Sequence, residues 1–179
     1  MNLAAIPAFV SGDVFRVVVE APRGSNLKLK YDPEWETMTI SRPLPFGVVF
    51  PFDWGFVPST ENADGDPVDA MVFWDVASYP GVVLECRAIG VLQVEQNRVN
   101  HDPSERVRND RILSIPVEAR REHDVNEVGA LPPRVRQELE QFALTAAALE
   151  GKALQIIGWG DASAALELIR RTAAAHHAR

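Results

Sequence analysis

Asp64-Gly65-Asp66-Pro67-Val68-Asp69 places three carboxylates at the entrance to the apolar run Ala70-Met71-Val72-Phe73-Trp74. Gly65 permits a left-handed turn, and Pro67 biases Asp66 toward an extended backbone while removing a ladder donor. Two unit charges about 4 Å apart repel by roughly 1 kcal/mol in water and about 4 kcal/mol near a protein surface. A fold that gathers these acids needs a cation, a shared proton or open access to water. A hard divalent metal satisfies the first condition, because Mg²⁺ takes oxygen ligands and retains waters for chemistry on phosphates. Taken alone, the same pattern also reads as a solvated acidic turn. An EF-hand fits poorly, since Val68 and Asp69 stand where that loop needs an oxygen ligand and a glycine.

The chain of 179 residues is read as a single domain, long enough to bury about two thirds of its unfolded surface. A net charge of −7 argues against nucleic acid or an anionic membrane as a main partner. The single Cys86 excludes an internal disulfide and a thiolate zinc cluster, as expected for a cytoplasmic protein. Cys86 lies in an apolar run and is expected in the core. The N-terminus has no basic segment ahead of an apolar one, so no signal peptide is read, and no apolar run is long enough to span a bilayer.

Alternation and β-branching predict strands over 14–20, 27–31, 37–41, 67–74, 82–93, 111–116 and 153–158, with a bulge or corner at Gly90. Val68, Ala70 and Val72 should share one face with Asp69 on the other, so the acids converge only if the preceding turn curls back. Val135, Leu139, Phe142, Ala146 and Leu149 form one stripe of a helix over about 133–149, led by Pro132-Pro133. Asp161 caps a last helix with Ala162, Ala165, Leu166 and Ile169 inward. The tail from Thr172, with His176 and His177, is expected to fray. Those histidines, and the isolated His101 and His123, read as surface residues rather than metal ligands.

Around the acidic turn lie Glu20, Lys28 and Arg42, then Phe50-Pro51-Phe52-Asp53-Trp54-Gly55-Phe56. Downstream come Gly90, Asp124-Val125-Asn126, Gly151-Lys152 and Gly158-Trp159. In this order the chain resembles the family I soluble inorganic pyrophosphatases over roughly residues 14 to 170, and the D-G-D-P-V-D element is that family's most specific motif. The resemblance implies a mainly β fold with α elements (α+β): a five-stranded OB-like barrel with flanking helices. It also implies Mg²⁺-dependent hydrolysis of pyrophosphate to two phosphates, and a homo-oligomer, commonly a hexamer. Asp64 and Asp69 match metal-holding aspartates, and Glu20 joins that acidic set. Asp66, also metal-facing, matches the group that accepts a proton from the attacking water. Lys28 and Arg42 match cations that grip phosphate oxygens, Arg42 with a rigid fork.

Other positions depart from the family pattern. Lys30 stands for a glutamate, Phe50 and Trp54 for two tyrosines, and Gln96 and Asn109 for metal-ligating aspartates. Asn97 follows where another acid is usual. Arg111 takes the place of a phosphate-binding lysine, while Thr145 and Ala146 replace a tyrosine and a lysine that hold product phosphate. One charge reversal and two neutralisations leave the site short of negative charge, and phosphoryl transfer depends on positioning and electrostatics. Slow hydrolysis is therefore expected. Two other functions fit the same residues: a non-catalytic anion- or metal-binding protein, and hydrolysis of another phosphate compound with Phe50 and Trp54 against an organic group. Asp102, Glu105 or Asp110 would supply missing ligands only in a shifted register; otherwise they lie in a solvated loop. Lys30 is expected to pair with a retained acid such as Asp69 or Glu20.

Overall fold

The computed structural model describes residues 1–97, 105–148 and 150–177. The strands in chain order are β1 (Phe9–Ser11), β2 (Val14–Ala21), β3 (Leu27–Asp32), β4 (Thr37–Pro43), β5 (Asp53–Val57), β6 (Val68–Val72), β7 (Val83–Asn97), β8 (Arg106–Arg108) and β9 (Arg111–Pro116). Helix α1 (Pro133–Ala148), strand β10 (Gln155–Gly160) and helix α2 (Ala162–His177) follow.

Five of these strands close on themselves. β2 pairs antiparallel with β5, β5 with β6, β9 with β7, and β7 again with β2, while β6 and β9 are parallel. This ring, with two helices packed on it, is the OB-like α+β architecture the resemblance implies. β3 and β4 form a separate hairpin, tied to the ring where Glu20 Oε1 accepts the Tyr31 N–H at 2.8 Å.

The two faces of β6 divide the core as alternation requires. Val68, Ala70 and Val72 join Phe15, Val17 and Ile112, and α2 adds Ala165, Leu168 and Ile169. Met71 joins Leu92 and Leu113 instead, and α1 adds Leu139, Phe142 and Ala143. Each large apolar side chain buried this way contributes about 1.5–3 kcal/mol. Asp161 Oδ1 accepts the Ala164 N–H at 2.8 Å and caps α2. Cys86 is buried in the core, where desolvation pushes its thiol up to about 12. No described helix is long and apolar enough to cross a membrane.

Several boundaries differ from the sequence expectation. β5 is absent from the predicted strands because Pro51 and Gly55 disguise a run that is buried throughout. The strand expected from Pro67 to Trp74 is confined to Val68–Val72. β7 continues to Asn97, so Gln96 and Asn97 lie on a strand paired with Val107 and Arg106 rather than in a loop. β10 sits two residues later than expected, at Gln155–Gly160. α2 remains helical to His177 through the segment expected to fray, and the buried Thr172 hydroxyl donates to Leu168 O at 2.8 Å. Gly90 marks an irregular step in the β7–β9 ladder, as expected. Leu149, His101 and Asp102 lie outside the described residues.

Candidate active site

The acidic turn does curl back. Asn62 N–H donates to Asp66 O at 2.8 Å, Gly65 N–H to Asn62 O at 3.0 Å, and Gly65 adopts φ 87°. The Asp66 N–H reaches Asp64 Oδ1 at 3.3 Å. Asp64, Asp66 and Asp69 then line a cleft, which Gln96 and Asn109 line as well. Positions 96 and 109 thus face the site, as the resemblance implies.

Cations line the same cleft. Lys28 and Arg42 are cross-strand partners in the β3–β4 hairpin, so pairing register brings both heads to one place. Arg111 enters from the start of β9, donates to Asn109 O at 2.8 Å and lies 5.8 Å over the Trp54 ring. Phe50, Trp54 and Phe142 pack against one another below it. Phe50 and Trp54 are therefore both core residues and cleft lining. A second compartment shares Lys28, Asp66 and Asp69 with the first, and adds Glu20, Lys30 and Tyr31.

Burial pushes the Glu20 carboxyl up to about 7; Asp69 adds to the rise, while the Tyr31 N–H and the Lys28 and Lys30 ammoniums oppose it. Burial likewise raises Asp64, with Asp69 and Asp66 adding repulsion. Desolvation lowers the Arg111 guanidinium, against the pull of Asp69, Glu150 and Asp64. Burial thus disfavours the charged forms of Glu20, Asp64 and Arg111, a cost that counter-ions entering the cleft would relieve. Among the described residues no group of three or more His, Cys, Asp and Glu side chains converges on one point to hold a metal. The donor set nevertheless fits Mg²⁺, which takes one or two carboxylates and completes its shell with waters and substrate oxygens.

Lys30 pairs with a retained acid, as expected, and that acid is Asp66 at 2.8 Å rather than Asp69 or Glu20. Asp66 is the most exposed of the three turn acids and sits within reach of the hairpin. Thr145 does not line the cleft, and its hydroxyl donates to Gln141 O at 2.8 Å inside α1; Ala146 does line it. Neither Glu105 nor Asp110 lines the cleft. Asp110 is committed to Val94 N–H at 2.9 Å and to Arg108 at 2.7 Å. His123 is on the surface, 2.9 Å from Asp124.

Sequence reasoning assigned no role to Glu150 or Lys152, yet both line the cleft. Glu150 Oε1 pairs with Arg42 Nη2 and lies 3.4 Å from Lys28 Nζ, while Oε2 is 2.7 Å from Lys152 Nζ. Burial opposes its ionisation, but Lys152, Lys28 and Arg42 together hold the carboxyl below its usual range. The signal was an acid and a lysine on the turn ending an apolar helix.

Ring, hairpin and helices define a small OB-like α+β protein with a cleft lined by both acids and cations. The sequence matches the inorganic pyrophosphatase family profile over residues 17–177. An inorganic pyrophosphatase from Thermus thermophilus is 36% identical, with 94% of each chain covered. One from Synechocystis is 33% identical, covering 94% of this chain and 95% of its own. The crystal structure of the Thermus thermophilus inorganic pyrophosphatase superposes with a TM-score of 0.89 over 99% of both chains at 34% identity. The chain belongs to the inorganic pyrophosphatase family, hydrolases that act on a phosphoanhydride.

Proposed function

We propose that this chain hydrolyses inorganic pyrophosphate to two phosphates in a Mg²⁺-dependent reaction slowed by its own substitutions. The observation that carries the reading is the shared cleft: Asp64, Asp66 and Asp69 line it together with Lys28, Arg42 and Arg111. Asp64 and Asp69, with Glu20 behind them, would hold the metal, and Mg²⁺ bound there would acidify water and neutralise phosphate charge. Asp66 takes the proton from the attacking water as its oxygen forms a bond to phosphorus and the bridging P–O bond breaks. Lys28, Arg42 and Arg111 stabilise the negative charge on both phosphoryl groups. Asp66 must leave Lys30 to act as base, and Gln96 and Asn109 offer amide oxygens in place of carboxylates. Both features support a slow enzyme. The lone buried Cys86 supports a cytoplasmic setting, and the family resemblance supports a single-domain subunit of a homo-oligomer.

The test is phosphate release from Mg-pyrophosphate by the wild-type protein and by Asp66→Asn. The variant should be at least about 100-fold slower, the effect of losing a general base. Equal release from both would remove the hydrolase reading. The Lys30–Asp66 pair favours the alternative of a non-catalytic anion-binding protein, which that result would support.

A further inference from the structure

We infer that Glu150 is a built-in occupant of the phosphate corner, a carboxylate that an incoming phosphoryl group must displace, and that it sets how strongly charged an anion must be to enter. The inference rests on the reading of Lys28 and Arg42 as phosphate ligands. Those two cations meet at one register position of the hairpin, and Lys152 adds a third. Glu150 reaches all three, with one oxygen on Arg42 and Lys28 and the other on Lys152. Its side chain is 17% exposed, and those of Lys28, Arg42 and Lys152 are 30%, 26% and 26%. This is a sheltered cluster rather than a solvated surface pair, so its contacts are less screened by salt.

A carboxylate offers two oxygens to three cations, whereas a terminal phosphoryl group offers three and carries more charge. The exchange therefore favours a polyvalent ligand over a weakly charged one. The backbone beneath is fixed: Glu150 N–H and Lys152 N–H both donate to Ala147 O, at 2.9 and 3.1 Å. Release of Glu150 is thus a side-chain rotation. Ala146 and Ala147 line the same corner and leave room for it. Lys152 also supplies an ammonium near Ala146, where the family resemblance places a lysine.

Calorimetric titration with inorganic phosphate at low salt tests the inference on wild type, Glu150→Gln, Glu150→Asp and Arg42→Ala. Glu150→Gln keeps the shape and removes the charge, and should bind phosphate about tenfold tighter. Glu150→Asp keeps the charge but is one methylene too short to reach all three cations. It should also bind more tightly than wild type, which a general effect of net charge would not produce. If Glu150→Gln melts early, the aspartate variant decides alone. Phosphate affinity in Glu150→Gln or Glu150→Asp no higher than in wild type overturns the inference. Arg42→Ala should bind more weakly than wild type; undiminished binding there overturns instead the reading of the corner as a phosphate site, and the inference with it.

Discussion

The Lys30 ammonium rests 2.8 Å from the Asp66 carboxylate, at the junction of the two compartments of the cleft. Desolvation works against a charged Lys30, but the hydrogen bond to Asp66 and the charges of Asp66, Glu20 and Asp69 outweigh it and raise its pKa. A fixed positive charge therefore stands among acids that would otherwise repel one another or draw in a metal.

Lys30→Glu should raise Mg²⁺ affinity by about tenfold or more in a calorimetric titration, because it removes a competing cation and adds a hard oxygen donor. Both partners of the pair are about half exposed or more, so the ion pair itself contributes at most about 1 kcal/mol. The melting temperature should change little. Unchanged Mg²⁺ affinity would show that Lys30 does not stand in for metal charge.

Arg111→Met should raise KM for pyrophosphate by about tenfold or more, through loss of a charge-assisted contact to phosphate. The protein should remain at least as stable, since a buried guanidinium with no carboxylate hydrogen bond among the described residues is replaced by an apolar side chain of similar length. Unaltered KM beside a lowered melting temperature would mark Arg111 as structural.

Glu20 gives the metal-free protein a pH-dependent stability of defined sign. Its carboxyl ionises near 7 when folded against 4.5 for an unburied group. The folded state therefore holds a proton that the unfolded state releases, and stability falls as pH rises from about 4.5 to 7. The loss attributable to Glu20 is at most about 3 kcal/mol. Glu20→Gln retains an acceptor for the Tyr31 N–H and should flatten that slope in chelator-treated protein. Parallel pH profiles of denaturation midpoint for the two proteins would refute the assignment.

Gly90→Ala should destabilise the fold by about 1–3 kcal/mol, as overpacking does. An added Cβ would lie 2.8 Å from Val128 Cβ and 2.9 Å from Gly160 O, where the β7–β9 ladder is already irregular. Thermal unfolding measures it directly, and a melting temperature equal to wild type would mean that the Val128 segment yields freely.

The acidic turn and four of the five ring-forming strands were legible in the sequence because each has a local cause, and the family resemblance marked the two cations of the hairpin. Alternation marks β6, β-branched residues mark β2, a short apolar run marks the fully buried β9, and the D-G-D-P-V-D turn carries its own backbone constraints. What escaped depended on distant parts of the chain. Glu150 looks like a helix-end acid until the fold brings Lys28 and Arg42 to it from more than a hundred positions away. β5 was hidden because burial on both faces erases alternation and Pro51 and Gly55 imitate a loop. That Lys30 meets a retained acid was legible, but which one was not, because choosing among Glu20, Asp66 and Asp69 requires a distance, not a charge.

The parallel rungs Ala70–Ile112, Met71–Leu113 and Val72–Ser114 follow directly after Asp69 on one strand and Arg111 on the next. Acid and guanidinium thus leave neighbouring strands side by side, their separation set by the interstrand spacing of about 4.8 Å rather than by a loop. Slippage of either strand by one residue would turn its own side chain to the wrong face and break the juxtaposition. The spacing between Asp69 and Arg111 is consequently as durable as the ring itself, and heat should dismantle both in a single step.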